Sequence, residues 1–468
     1  MSEQVVRSQS VNENKMGVMP VPKLLVSMSL PMIISMTVQA LYNIVDSLFV
    51  AKVSQAAFNG LSLAFPVQMF LIAFGAGTGV GVNAYLSKSL GEKKPEEASK
   101  AAANGIFLSV LTCLAFVVFG VFFARAFFEA QTDNMDIVNA GTSYVSICTI
   151  FSIGVFMQMM FERLLQSTGK TVYSMITQIT GAVINLILDP ILIFGYFGMP
   201  KLGVSGAAIA TVAGQIAAMC LAIFFNVTKN KELNLSFRGF RPNRKVIGRI
   251  YSVGIPAIIM QAIGSIMVIL MNRLFLSFTE QDREAAEGAV FVFGAYFKMN
   301  SIFFMPIFGL NNGMIPIIAY NYGARKPKRI LTAIKLGILM ALGFMCIGIF
   351  LFQVFPQTLL NFFDASPQIL ALGVPALRII STSFLFAAFC IILLSVFQAF
   401  GSGVLSLIVS ATRQLVVLVP AAYILAHAAG LSSVWWSFPI AEVFSVTLCA
   451  VFFRYLFRKK IKTLEEMR

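Results

Sequence analysis

Long apolar runs separated by short polar turns occupy the chain from residue 24 to residue 456. Twelve such runs predict helices at about 24–50, 58–86, 102–124, 139–163, 172–196, 203–227, 248–278, 287–319, 331–355, 369–399, 404–428 and 434–456. At 1.5 Å per residue each is long enough to cross a hydrocarbon layer of about 30 Å. The first run is interrupted by Gln39, Tyr42, Asn43 and Asp46, at i, i+3, i+4 and i+7. On a helix that spacing makes one polar stripe on one face. Asp46 is the only full charge between Lys23 and Lys52. A carboxylate at membrane depth costs about 2.5–3.5 kcal/mol on insertion scales, so it calls for a partner or a water-filled cavity. The competing reading is an Asp hydrated near the helix end.

Composition agrees with the pattern. Of 468 residues, 58% are hydrophobic and only 12% charged, and the mean hydropathy is +0.83. The fold class expected is an all-α integral membrane protein. The six cysteines lie in apolar runs and form no C-x-x-C pair, and His427 is the one histidine. Neither a disulfide, a metal site nor a histidine-based triad is indicated. The segment 1–22 is polar and lacks the basic-then-apolar order of a cleaved signal peptide.

The net charge of +15 is placed in alternate loops rather than in one patch, so it reads as topology and not as nucleic-acid binding. Lys88, Lys93, Lys94 and Lys100 follow helix 2; Arg325, Lys326, Lys328 and Arg329 follow helix 8; further basic residues fill 229–249 and the tail. By the positive-inside rule both termini are cytoplasmic, in a multi-pass protein of the plasma (inner) membrane. The expected organisation is a tail at 1–22, a first lobe at 23–228, a polar linker at 229–247, a second lobe at 248–457 and a tail at 458–468. The lobes match in sequence. Ser29-Leu30-Pro31 matches Gly254-Ile255-Pro256, Gly91-Glu92-Lys93-Lys94-Pro95 matches Gly323-Ala324-Arg325-Lys326-Pro327, and Gln166 and Gly169 match Gln398 and Gly401. Six helices per lobe make the repeats parallel, two pseudo-symmetric six-helix lobes around a central cleft.

Helix 5 carries Gln178, Gly181, Asn185 and Asp189 at i, i+3, i+7 and i+11, followed by Pro190. Asn185 and Asp189 share a face. Asp189 lies ~28 Å along its helix from Lys170, and Asp46 ~34 Å along its own from Lys23, so both belong to the outer half of the first lobe. Helix 6 adds Thr211 and Gln215. Carboxylate, amide and hydroxyl oxygens gathered this way can hold a proton or a small cation such as Na⁺. A helix-packing hydrogen-bond network is the alternative. Gln158, Glu162 and Gln166 on helix 4 suggest either an inner gate network or a solvated helix end. Glu442 is the one clear membrane carboxylate of the second lobe, with Lys298 or Arg378 as candidate partners and packing as its expected role. Pro31 can kink helix 1. Forty-five Phe and 23 Met offer adaptable apolar surface, and Met157, Met160, Phe291 and Met299 are the candidate substrate-cleft residues.

Several stretches together resemble the multidrug and toxic compound extrusion (MATE) transporters, nearest to their MepA-like bacterial branch. They are SLPMIISMTVQALYNIVDSLFV, LLQSTGK, NLILDPILIFG, GVSGAAIAT and PIFGLNNGMIPIIAYNYGARKP, and the resemblance covers about 20–457. It implies a two-lobe antiporter that exports organic, often cationic, compounds in exchange for H⁺ or Na⁺ by alternating access. The family's first-lobe cation site falls on Asp46, Asn185 and Asp189, its helix 6 threonine on Thr211, and its bending proline on Pro31. Acids that some members carry in helices 7 and 10 have no counterpart here. No cofactor is implied beyond the coupling ion, no metal beyond Na⁺, and the chain is expected to act as a monomer on small molecules in the bilayer.

No G-x-x-x-x-G-K-[ST] phosphate loop is present, which excludes a nucleotide-driven pump of that type. The alternative within transport is a flippase for lipid-linked precursors, which would line its cleft with more cations than Arg273, Lys298 and Arg378 provide. A membrane enzyme would need a nucleophile, base and orienter that this sequence does not supply.

Overall fold

A computed structural model of the chain describes residues 13–51, 53–235, 240–280, 282–363 and 365–466, with the side chains of residues 43, 44, 46–48, 50, 51, 55, 56, 58 and 465 outside that description. The described chain is helical. A short helix, α1 (Lys15–Val18), precedes α2 (Val21–Ala51), α3 (Gln55–Gly91), α4 (Pro95–Phe122) and the short α5 (Ala124–Glu129). Next come α6 (Met135–Ile150), α7 (Ile153–Ser167), α8 (Thr171–Phe194) and α9 (Val204–Lys229). The second half begins with α10 (Arg244–Leu276), α11 (Arg283–Gly323), α12 (Pro327–Val354) and the short α13 (Pro356–Asn361). It continues with α14 (Pro367–Ser381), α15 (Phe384–Ala399), α16 (Gly403–Ala411), α17 (Val419–Ala429) and α18 (Ser437–Leu456). A π-helical stretch, Thr412–Leu418, joins α16 to α17.

Among the described residues, ten helices are long and apolar enough to span a bilayer, and two bent pairs bring the number to twelve. The bent pairs are α6–α7, at 46°, and α14–α15, at 48°. The sequence pattern predicts each as one straight span, and the structure breaks both. Local chemistry sets most ends. Ser54 caps α3 by accepting from the Ala57 amide, Asp282 caps α11 from Ala285, and prolines that need no amide partner open α4, α12 and α14.

The two halves repeat each other in backbone detail. Lys93 and Arg325 both take positive φ, as do Gly169 and Gly401, and Gly198 and Gly430. The bend after Ile150 has its counterpart after Ser381. One large apolar cluster gathers side chains of α10–α18 with the first turns of α2, and three smaller ones draw mainly on α3–α9.

The halves meet along a seam at the end of the bundle where α2 begins, called here the near end. Backbone lies on backbone there. A Cβ added at Gly91 would collide with the Tyr320 carbonyl, and one added at Gly323 with the Lys88 carbonyl. Further in, Gly77 faces Ile258 and Gly81 faces Ile250 where α3 crosses α10. Where α11 crosses α2, Gly309 faces Ile33 and Gly313 faces Ser29. The contacts are reciprocal, each half offering glycines to the first long helix of the other. Small residues of this kind let helices approach closely where apolar burial alone gives no preference over lipid.

The seam makes a graded prediction. Gly91→Ala and Gly323→Ala are each expected to cost about 1–3 kcal/mol, the range for overpacking. Gly248→Ala and Gly343→Ala, where an added Cβ meets nothing within 4 Å, are expected to leave the melting temperature unlowered. Thermal unfolding in detergent checks the contrast, and equal melting of all four would contradict it.

Candidate functional site

A cavity of about 230 Å³ lies inside the first half. Its wall is built by α2 (Gln39, Tyr42), α3 (Gln68), α7 (Gln158, Glu162, Arg163), α8 (Gln178, Asn185) and α9 (Thr211, Gln215). An amide-rich wall in an apolar bundle is costly unless its groups find partners or water. The packing of α8 on α9 fixes one side. A Cβ at Gly214 would lie 2.6 Å from the Gly181 carbonyl oxygen and 3.2 Å from the Asn185 Cβ. That approach brings Asn185 Nδ2 to donate to Thr211 Oγ1 at 3.0 Å. Asn185 Oδ1 is buried and has no hydrogen-bond partner among the described residues. Asp189 is fully buried one turn further along α8, immediately before Pro190. Pro190 has no N–H, so the usual backbone bond to the carbonyl four residues back is missing.

The structure therefore brings together Asn185 and Thr211, and places Gln39, Tyr42 and Gln178 on the same cavity. Asp189 follows Asn185 on the same helix and does not itself line that wall. Asn43 and Asp46 lie on α2 with side chains outside the described residues. Helix α2 runs through Pro31 without interruption.

Of the two sequence readings of Glu162, an inner gate network or a solvated helix end, its burial rules out the second. It is only 5% exposed and lines the cavity. Its Oε1 accepts from Gln158 Nε2 and from Thr177 Oγ1, each at 3.0 Å, and its Oε2 accepts from Gln178 Nε2 at 2.9 Å. Gln158 comes from the preceding turn of α7, while Thr177 and Gln178 come from α8. Arg163, next along the chain, donates to Gln166 Oε1 and, across the seam, to Asn312 Oδ1 of α11, both at 2.9 Å. The wall of the cavity is thus tied directly to the other half. The i, i+4 spacing of Gln158 and Glu162 was the available signal, but spacing does not report depth.

The methionine candidates fall elsewhere. Met157 and Met160 are buried in an apolar cluster with residues of α3 and α4, and Met299 is buried in the second-half cluster, with Phe291 packed against it. The methionines on the cavity wall are Met36 and Met159 instead. Glu442 also finds a different partner from those expected. Arg413, in the π-helical stretch, meets its Oε1 at 3.1 Å, within the second half. Among the described residues no three His, Cys, Asp or Glu gather as a metal site.

A family model described as MatE matches residues 31–191 and 256–424. The chain is similar to the multidrug export protein MepA of Staphylococcus haemolyticus strain JCSC1435, at 28% identity over 441 residues and 94% of each chain. It is similar to the protein of the same name from Staphylococcus aureus strain MRSA252, at 26% identity over 445 residues, 94% of this chain and 95% of that one. In fold it is similar to an outward-facing multidrug resistance MATE family transporter of the MOP superfamily. The TM-score is 0.88 at 24% identity, over 97% of this chain and 99% of that one.

The carboxylate network makes its own prediction. Thr177→Val removes one of three donors to a buried carboxylate and is expected to cost about 1–3 kcal/mol. In a Glu162→Gln background the same change is expected to cost less, because the acceptor is no longer charged. A double-mutant cycle by thermal unfolding checks this, and additive effects would contradict it.

Proposed function

The chain belongs to the MatE family, and from that premise we propose that it is a multidrug efflux antiporter. It exports lipophilic organic cations across the plasma membrane in exchange for H⁺ or Na⁺, as a monomer that alternates between two states. The near end of the bundle is its cytoplasmic face, both termini lie there, and the segment 229–247 links two lobes. The coupling cation binds in the first lobe, at Asp46, Asn185, Asp189 and Thr211, and Glu162 contributes a further carboxylate to the same cavity. Pro31 gives α2 a point at which it can bend as that site fills.

The observation that carries this reading is the asymmetry of buried charge. The first half holds Asp189 and Glu162 at or beside a cavity rich in amides and hydroxyls, with Asn185 Oδ1 without a hydrogen-bond partner among the described residues. Carboxylates so placed change their interaction with the protein when they take up or release a cation, which is what a coupling site requires. In the second half, Glu442 already faces Arg413. An ion pair of that kind satisfies itself and leaves less demand for an external cation. The names of the relatives and the near-complete coverage support the choice of substrate class.

Ethidium export from proteoliposomes tests the proposal, with a pH gradient and a Na⁺ gradient imposed separately. Export driven by one of the two is expected, with a loss of at least roughly tenfold in Asp189→Asn and in Asp46→Asn, since an isosteric amide cannot carry the charge. Export indifferent to both gradients and to both substitutions would contradict coupling in the first lobe and favour a facilitator or a lipid-precursor flippase.

A further inference from the structure

The residues before α2 lie across the near end and hold both halves at once. Asn14 does three things with one side chain. Its Oδ1 caps α1 by accepting from the Met16 amide at 2.9 Å. Its Nδ2 donates to the Thr168 carbonyl, at the end of α7, at 3.0 Å, and to Glu232 Oε2, after α9, at 2.6 Å. Thr168 belongs to the first half, and Glu232, at the start of the linker, is held against that half by Lys170. Lys170 stands 3.5 Å from Glu232 and completes that anchor.

The following residues are held by the second half. The Met16 carbonyl accepts from Asn321 Nδ2 and from Arg329 NH2, each at 3.0 Å. The Met19 carbonyl accepts from Arg329 at 2.6 Å, and the Gly17 carbonyl from Lys326 Nζ at 2.9 Å. Lys326 also pairs with Glu13 and holds that carboxyl below the usual carboxylate range. The Met16 side chain is fully buried in the second-half cluster. At Gly17 a Cβ would lie 2.9 Å from the Tyr320 ring, so the chain passes directly over the seam residue that opposes Gly91.

The repeat shows that this grip is specific to one half. Asn321, Lys326 and Arg329 correspond to Ser89, Lys94 and Glu97 at the matching turn of the first half. There Lys94 pairs with its neighbour Glu92, and Glu97 is engaged by Tyr85 and Lys100. Of the three residues that donate to the 16–19 carbonyls, Asn321 and Arg329 have no equivalent donor in the first half, and Lys94, the equivalent of Lys326, is taken by Glu92.

We propose that residues 13–19 form a clasp that holds the near end closed, and that Asn14, Arg329 and Glu232 are positioning residues for the change of state. The near ends of the halves cannot part while both anchors are made, because Thr168 and Glu232 move with one half and Asn321, Lys326 and Arg329 with the other. Besides the covalent link into α2, the segment is anchored to the first half by one side chain, Asn14, and that anchor is the one that releases. The clasp rests on the alternating-access reading given above.

The test uses the full-length chain with its six native cysteines replaced, in lipid vesicles. Ser29→Cys reports the seam, since Ser29 is fully buried against Gly313. Adding Asn14→Ala is expected to speed its modification by a water-soluble maleimide roughly five- to tenfold, in line with the loss of about one net hydrogen bond. Glu232→Ala, which cuts the same anchor from the other side, is expected to do likewise and serves if Asn14→Ala fails to fold. Conversely, an Asn14→Cys/Glu232→Cys disulfide is expected to arrest ethidium export, with recovery on reduction. Unchanged labelling in a folded anchor variant, or full export with the disulfide formed, would overturn the clasp. The labelling needs neither substrate nor gradient, so a failure of the exporter reading would leave it intact and be seen separately, as absence of export by the native chain.

Discussion

Close backbone contact between the halves is the constraint on which the rest of the structure depends. At the near end Gly91 lies on the Tyr320 carbonyl and Gly323 on the Lys88 carbonyl, and the crossings of α3 with α10 and of α11 with α2 repeat the same device. Inside a bilayer, lipid tails offer apolar side chains nearly the same environment as a neighbouring helix. What favours one packing over another is then closeness of fit. Glycine gives that fit with few directional bonds along the seam, Arg163 to Asn312 among them, so much of the hold between the halves comes from many small dispersion terms. An interface of this type can separate and re-form as a unit. That property is what a protein of two rigid halves needs if it is to open at alternate ends.

The polar groups are arranged around that seam. Arg163 reaches from the cavity wall to Asn312 on the other half, and its neighbour Glu162 is held by donors from α7 and α8. A change of charge at Glu162 therefore acts one residue removed from the interface. The second half has the same helices but a different electrostatic content, with Glu442 answered by Arg413 where the π-helical stretch interrupts the span. Such stretches recur at sites where a side chain must be re-aimed. The two lobes thus share an architecture and differ in their buried charge.

Much of this was legible in the sequence, for physical reasons that can be named. Span number and order follow from the length of apolar runs, and their ends from Gly91, Pro95, Gly323 and Pro327. That Gln178, Gly181, Asn185 and Asp189 share a face of α8 was legible from their spacing, whereas the bond from Asn185 to Thr211 depends on how α9 packs on α8, which spacing does not report. The breaks between Ile150 and Ile153 and between Ser381 and Phe384 were not, since neither carries a proline or glycine at the bend itself and tertiary packing sets the angle. Periodicity also does not say which face meets a cavity: Met157 and Met160 pack among residues of α3 and α4, while Met159 lines the wall. The burial of Glu162 was not legible either, because distance along a helix is not depth, and a gate network and a solvated helix end both fit its spacing. The role of residues 13–19 left no mark in hydropathy, since its bonds go mostly to backbone carbonyls.

The most direct measurement of the link between cavity and seam is the distance between spin labels at Glu96 and Lys328, which sit beyond Gly91 and Gly323 on opposite halves. It would be recorded in lipid nanodiscs by pulsed electron resonance as H⁺ and Na⁺ are varied in turn. The account predicts that one of the two ions shifts the distribution between a short and a long near-end distance, and that Asp189→Asn removes the shift. A single distance, insensitive to both ions and to the substitution, would contradict it.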